Sequence, residues 1–462
     1  MQYRYYQANA IDAGNELLNG NTSITNGIIV IPTGGGKSHV IAGIADQQNN
    51  AGLILQPSKE ILEQNYQKLF KTGETDLGIY SASLGSKAIK KITFATIGSI
   101  YNKPELFRQF KYVMVDECDL VNHLGGMYKE FFDALNRPVL GMTASPWRLQ
   151  PGRKIGKKRI RGGRFIDEYS GSCNQIVTRI KGKFFEDLIH ITQIGELYEN
   201  GFLCPLEYIE GFPPDQLKLT LNSSGNDYTE ATYKRISRNV VRDTFTAVRK
   251  ANAKSNLIFT KFITEAQEIV EGLNNIGVPA GIVTGDMKPD DRESMIERFT
   301  RGDIKALANV GVLTVGFDHP ALDHIVLARP TNSARLYYQM LGRGIRIHPS
   351  KNKCILTDLC GNVDRMGKIE NWQIRDNNGD KAYRLYNDNR PLTGIDLKRD
   401  IDIEKGSNIS QNETEIHFGK HKGTKICDAP TDYLQWIVGN FSPGEFRSIA
   451  KDEIARRAAH NV

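Results

Sequence analysis

Sixty Lys and Arg against 53 Asp and Glu leave this 462-residue chain at +7, and 40% of its residues are hydrophobic. That apolar content excludes wholesale disorder, and at about 150 residues per domain the length suits two to three domains. No stretch nears the ~18 uninterrupted apolar residues of a membrane span, and the start MQYRYYQANA lacks the apolar core of a secretion signal, so a cytoplasmic protein is expected. The six cysteines include no C-x-x-C pair, against both a zinc ribbon and a disulfide scaffold.

Along the chain, short apolar runs alternate with helix-length material. The first series is 27–32 (GIIVIP), 52–57 (GLILQP), 92–96 (ITFAT), 112–117 (YVMVDE) and 138–144 (PVLGMTA). Runs rich in Ile, Val and Leu without polar alternation read as strands buried on both faces, hence a parallel sheet with helices on each side. The basic, glycine-rich segment 151–164 (PGRKIGKKRIRGGR) reads as an exposed loop or β-hairpin. A second series follows at 256–260 (NLIFT), 280–285 (AGIVTG), 305–310 (KALANV), 324–329 (HIVLAR) and 353–359 (KCILTDL). Within it, Thr264-x-x-Gln267 predicts a capping box opening a helix that stops at Gly277, and Pro289 with two acidic residues opens another that ends near Gly302. The fold class expected is α/β, with two parallel-sheet lobes in tandem. Domain limits fall at 1–205, 206–365, a polar linker 366–412 and a small α+β module 413–462.

Three clusters carry chemistry. Pro32-Thr33-Gly34-Gly35-Gly36-Lys37-Ser38 lies between a buried strand and a plausible helix, where small residues let backbone N–H groups surround phosphate oxygens. Lys37 would reach the β- and γ-phosphates and the Ser38 hydroxyl would ligate Mg²⁺, although Ile31 stands where the phosphate-loop pattern has its first Gly. Asp116 and Glu117 close a strand downstream, as a carboxylate for Mg²⁺ and an orienter or base for water. Gln339, Arg343 and Arg346 form Q-x-x-G-R-G-x-R, whose two arginines share one face if the segment is helical. They would stabilise charge on a transferring phosphoryl from across a cleft, while two ordinary surface arginines would show the same spacing.

In order, PTGGGKS, DECD, TASPWR, LTVGFDHP and QMLGRGIR resemble the motifs of a superfamily 2 helicase, over roughly residues 1–365. RYYQ at 4–7, LILQPSKEILEQN at 53–65, FATIGSI at 94–100 and VTGDMKPDDR at 283–292 fit the same pattern. The resemblance implies two RecA-like lobes, ATP and Mg²⁺ as cofactors, and an ATPase that moves along or unwinds nucleic acid. By resemblance Gln7 reads adenine, Thr143 and Ser145 couple hydrolysis to lobe movement, and Gly316 and Asp318 sense nucleotide. The same resemblance implies that Pro57, Ser58, Thr96, Thr284 and Thr314 would lie near the nucleic-acid backbone, with Arg343 and Arg346 as arginine fingers. The wording is more similar to the branch of DNA repair helicases, phage branch-migration helicases and restriction translocases. That implies DNA (single-stranded, forked or branched) as partner, work in replication, recombination or repair, and the cytoplasm of a bacterium or a phage-infected cell. Asp119 departs from that branch, which usually has His there, and keeps an RNA helicase as the alternative. A non-catalytic nucleic-acid scaffold is a third reading.

At the C-terminus, 417–441 (HFGKHKGTKICDAPTDYLQWIVGNF) resembles a small module at the end of exonuclease-X-like proteins. Lys420, Lys422 and Lys425 beside Phe418, Tyr433 and Trp436 would make a phosphate-plus-stacking surface or, equally, a mini-core with solvated lysines. His417 and His421 are four apart, but Gly419 and Gly423 interrupt any helix that would make them a metal pair. An amphipathic helix is expected from Ser442 onward.

Overall fold

The computed structural model describes residues 2–122, 125–151, 154–159, 165–169, 172–180, 182–210, 219–222, 227–313, 317–376, 382–395, 421, 424, 426, 429–440, 450 and 454. The chain divides into two units, Met1–Asp396 and Leu397–Val462. The first holds two parallel sheets.

Every apolar run of both series is a strand, because each is long enough to cross a sheet and apolar enough to be covered on both faces. The first sheet runs Asp187–Ile191, Asn26–Val30, Val139–Thr143, Tyr112–Asp116, Gly52–Gln56, Ile92–Thr96, Leu77–Ser81, Ser86–Lys87. Its pairings are parallel apart from the antiparallel last pair. Strand progression moves outward from Asn26–Val30 to Leu77–Ser81, then returns through Tyr112–Asp116 and Val139–Thr143. With right-handed crossovers that reversal puts the outward and returning helices on opposite faces. Helices Tyr5–Leu18, Lys37–Gln47 and Lys59–Phe70 accordingly pack in one row, and the Ile97–Ile100 turn packs on Met127–Leu135 in another.

The second sheet is parallel throughout, in the order Leu206–Glu210, Cys354–Asp358, His324–Leu327, Asn256–Phe259, Ala306–Val310, Ala280–Thr284. Pro289–Arg301 is helical as expected, with Asp290 and Asp291 in its first turn and Gly302 at φ 88° closing it. The capping box moves: the helix is Ile263–Asn275, and Glu265, not Gln267, reaches back to a backbone N–H, that of Phe262 at 3.4 Å. A 22-residue helix, Glu230–Ala251, precedes the sheet's second strand in sequence, capped by the Thr229 hydroxyl.

Two findings concern the segments between and after the lobes. Lys154–Arg159 and Phe165–Tyr169 pair antiparallel, the hairpin alternative of the basic segment, with its second strand beyond residue 164. The polar linker expected over 366–412 is corrected across its first part. Trp372–Asp376, Tyr383–Asn387 and Arg390–Pro391 form an antiparallel sheet whose buried Trp372, Ile374, Leu385 and Leu392 join the main core. The few apolar residues there are spaced two apart, so a polar composition conceals a one-sided strand. The Trp372 ring lies 5.7 Å from that of Trp147 in the first lobe and stacks at 5.7 Å on Tyr338 in the second. Its indole N–H donates to the Met366 carbonyl at 2.9 Å.

In the second unit, helix Thr431–Asn440 contributes Leu434 and Ile437 to a small cluster with Ile426, Ala429 and Ala450. Tyr433 and Trp436 stack at 5.5 Å, with Trp436 48% exposed. His417, Phe418, Lys420, Lys422 and Lys425 lie outside the described residues, as does most of the segment after Ser442. Among the described residues no helix is long and apolar enough to cross a membrane.

Candidate nucleotide site between the two lobes

The carboxyl ends of the first sheet's strands are where an open α/β sheet puts its ligand. The Asn26–Val30 strand ends into Ile31 to Gly36, with Gly34 at φ 82° and Gly36 at φ 86°, a conformation β-carbon-bearing residues rarely adopt. Helix Lys37–Gln47 starts at once, its N-terminus facing the loop's concavity. The loop is braced from behind: the Tyr6 hydroxyl and the Gln7 amide donate to the Gly35 carbonyl at 2.7 and 2.9 Å. Gln7, expected to face a base, has its side-chain carbonyl on Arg4 N–H at 3.0 Å and is buried against the loop.

Asp116 and Glu117 end the Tyr112–Asp116 strand two positions over, beyond Val139–Thr143. Glu117 sits at φ 52°, an unusual backbone for a non-glycine residue, of a kind that concentrates at functional sites. Lys37 Nζ lies 2.8 Å from Asp116 Oδ1 and 2.5 Å from Glu117 Oε1. Burial alone would lower the Lys37 pKa, but the two carboxylates outweigh it and hold it well above the usual lysine value. Burial pushes Asp116 up against the opposing pull of Lys37, whereas in Glu117 Lys37 wins over burial and the carboxyl is held low. Asn65, from helix Lys59–Phe70, donates to Asp116 Oδ2 at 3.3 Å, and its own Oδ1 is buried without a partner among the described residues.

Gln339 is on helix Ala334–Leu341 of the second lobe, but Arg343 and Arg346 follow that helix, so they do not share a helical face as expected. The helix closes at Leu341 with Gly342 as its cap, and the chain beyond packs tightly: a Cβ on Gly344 would meet Cys354 Sγ at 2.6 Å. The two guanidinium groups still converge: both donate to the Phe317 carbonyl, Arg343 at 2.6 Å and Arg346 at 3.3 Å, and Arg346 pairs with Asp318. Burial and then the neighbouring Arg346 push the Arg343 pKa down, a penalty an incoming anion would relieve.

These two faces enclose one cavity of about 400 Å³, lined by Lys37, Ser38, Asp116, Glu117, Arg343 and Arg346 among others. The volume lies in the range of small-molecule and cofactor sites. Lobe-to-lobe contact is direct, since Thr33 N–H donates to the Tyr338 hydroxyl oxygen at 3.3 Å.

Residues 1–148 match the family model described as type III restriction enzyme, res subunit, and 237–348 match the helicase conserved C-terminal domain. The chain belongs to the superfamily 2 helicases. It is 23% identical over 387 residues to the Saccharomyces cerevisiae protein named "Putative ATP-dependent helicase IRC3", covering 78% of this chain and 51% of that one. With the DNA 3'-5' translocase XPB2 of Sulfurisphaera tokodaii it shares 24% over 368 residues, 75% of this chain and 79% of the other. A fragment of a type I restriction enzyme HsdR subunit from Vibrio vulnificus YJ016 superposes with a TM-score of 0.57 at 18% identity, over 79% of this chain and 65% of the other. The chain thus spans about half to two thirds of the first curated relatives' length.

The remaining superfamily 2 positions are distributed unevenly. Thr143 donates to Asp119 Oδ1 at 2.7 Å and its hydroxyl accepts Ser145 N–H at 3.0 Å, which binds Thr143 and Ser145, the pair expected to couple hydrolysis to movement, to the acidic run. Ser58 caps helix Lys59–Phe70 by accepting Ile61 N–H at 3.4 Å, and Thr96 shares a hydroxyl contact with Ser99 at 2.9 Å. Pro57 follows the Gly52–Gln56 strand and Thr284 ends the Ala280–Thr284 strand; neither is among the residues lining the nucleotide cavity. Thr314 and Gly316 lie outside the described residues. Sequence reasoning missed Asn65, Tyr338 and Arg335, each within four residues of, or inside, a motif it quoted. It also missed the Arg4 guanidinium 4.1 Å over the Phe202 ring at the cavity's edge.

Proposed function

We propose that the chain is an ATP-dependent DNA helicase or translocase. The observation that carries this reading is the facing of Lys37, Asp116 and Glu117 with Arg343 and Arg346 across one cavity. ATP in that cavity exchanges the Lys37 carboxylate partners for its β- and γ-phosphate oxygens, and draws Arg343 and Arg346 toward the γ-phosphate. The oxygen donors at hand suit a hard cation: the Ser38 hydroxyl, the Asp116 carboxylate and the partnerless Asn65 Oδ1. Ser38 and Asp116 would hold Mg²⁺, whose chemistry is to neutralise phosphate charge. Glu117, released from Lys37, orients the attacking water. Because the nucleotide touches both lobes, it favours their closed arrangement, and its hydrolysis removes that preference. Alternating grips on a strand at Pro57, Ser58, Thr96, Thr284 and Thr314 convert the cycle into movement.

The choice of DNA rests on the S. tokodaii relative's naming as a DNA translocase. Asp119, in place of the His usual in that branch, favours RNA as the second reading. ATP turnover measured with single-stranded, duplex, forked and four-way-junction DNA, and with RNA, tests both. DNA stimulation abolished in Lys37→Ala supports the first reading; stimulation by RNA alone transfers it to the second. Turnover that no nucleic acid stimulates overturns both.

A further inference from the structure

Asp119 has no exposed surface, and each of its carboxylate oxygens takes a different donor. Oδ1 accepts from Thr143, which neighbours Asp119 within the first lobe; Oδ2 accepts from Nε of Arg335, on the second lobe's helix Ala334–Leu341. The Asp119 backbone is tied down as well: Arg148 donates to the Asp119 carbonyl and, at 2.9 Å, to that of Val121. Arg335 is thus the moving part of an otherwise fixed cluster.

Burial pushes the Asp119 carboxyl up and Arg335 is the main force opposing it. When the lobes part, Asp119 loses that counter-charge and Arg335 must find water, so the bond exists only in the closed arrangement. The second lobe's expected arginines, Arg343 and Arg346, are instead held by their own lobe through Phe317 and Asp318. Among the described residues, the Arg335–Asp119 ion pair is the one salt bridge that joins the second lobe to the acidic run.

We infer that Arg335 is a positioning residue for ATP hydrolysis: seated on Asp119, it fixes the Asp119–Thr143 pair and the adjacent Glu117 in working geometry only when the lobes are closed. This rests on the ATPase reading above. Cross-cleft bonds of this kind couple two sites by an energy that shows as a severalfold to thirtyfold change. A merely structural bridge would lower stability without separating turnover from substrate affinity.

The test compares wild type, Arg335→Gln, Arg335→Lys, Asp119→Asn and the double variant Asp119→Asn/Arg335→Gln in nucleic-acid-stimulated ATP turnover. Hydrogen exchange of the proteins saturated with a non-hydrolysable ATP analogue is read over helix Ala334–Leu341. Arg335→Gln is expected to lose about tenfold in kcat with KM for ATP within about twofold. Arg335→Lys should recover most of the loss, and the double variant should be no worse than the poorer single one. Exchange in the helix should quicken in Arg335→Gln. An unimpaired kcat, a matching rise in KM, or strictly additive losses would overturn the inference while the ATPase reading stands. A wild type without stimulated turnover removes both, and unchanged exchange denies the contact itself.

Discussion

The two faces of the nucleotide cavity hold their cations in opposite ways. Lys37 is bound by the very carboxylates to which the proposed mechanism gives roles, so in that mechanism the first lobe exchanges partners before it works. Arg343 and Arg346 rest on a backbone carbonyl and on Asp318 of their own lobe, already aimed at the cavity. The difference teaches that the first lobe is self-neutralised without substrate, while the second presents a desolvated positive surface whose cost only an anion removes.

The sharpest break in that contrast is expected from paired substitutions. Arg343→Ala should lower stimulated turnover by about 10³-fold or more, as loss of an arginine finger does, with ADP affinity nearly retained. Lys37→Ala should lose turnover and nucleotide affinity together. Single-turnover kinetics with fluorescent ADP titration reads both; equal loss of ADP affinity in the two variants would erase the distinction. A second test removes the aromatic junction that belongs to both lobes. Trp372→Ala empties a site 1% exposed and should cost about 3–5 kcal/mol in denaturant unfolding.

The third is confined to the second lobe. His324 is fully buried between Asn256 Oδ1 at 2.7 Å and Thr357 Oγ1 at 2.9 Å, and burial pushes its pKa down to about 4. An unfolded chain takes up that proton near pH 6.5, so stability is full above that value and falls as pH drops toward 4. The loss approaches about 3 kcal/mol. His324→Asn should flatten the pH dependence of unfolding by up to one proton between those limits. An unchanged slope would mean the imidazole is charged in the fold. The smallest effect is expected at the basic hairpin. Lys157→Glu with Lys158→Glu should reduce the salt slope of DNA binding by about one for each phosphate the hairpin no longer neutralises. An unaltered slope removes this hairpin from the nucleic-acid surface.

Much of this was legible in residue order. Apolar runs without alternation announced both sheets, and the polar residues ending 27–32 and 112–117 marked the cavity's first-lobe face. Strand Asp187–Ile191 escaped notice because His190 and Asp187 break its apolar run, and Leu77–Ser81 because Gly78 thins it. Gly78 is needed there: a Cβ would come 2.5 Å from the Ala88 carbonyl oxygen. The Arg335–Asp119 bond was invisible for another reason, since 216 residues separate its ends and neither type demands a partner. Gly342 and Gly344 did signal that the helix could not carry both arginines, a clue the three-residue spacing obscured.

The Trp372 indole, lodged between Trp147 of one lobe and Tyr337 and Tyr338 of the other, limits how the machine can flex. Sliding the lobes straight apart would strip an aromatic ring of ~150–250 Å², about 4–6 kcal/mol. Swinging them about that ring spares the stack. The ring then acts as a hinge pin, with displacement smallest beside it and growing with distance, so a modest angular change at the phosphates becomes a longer stroke at the outer rim.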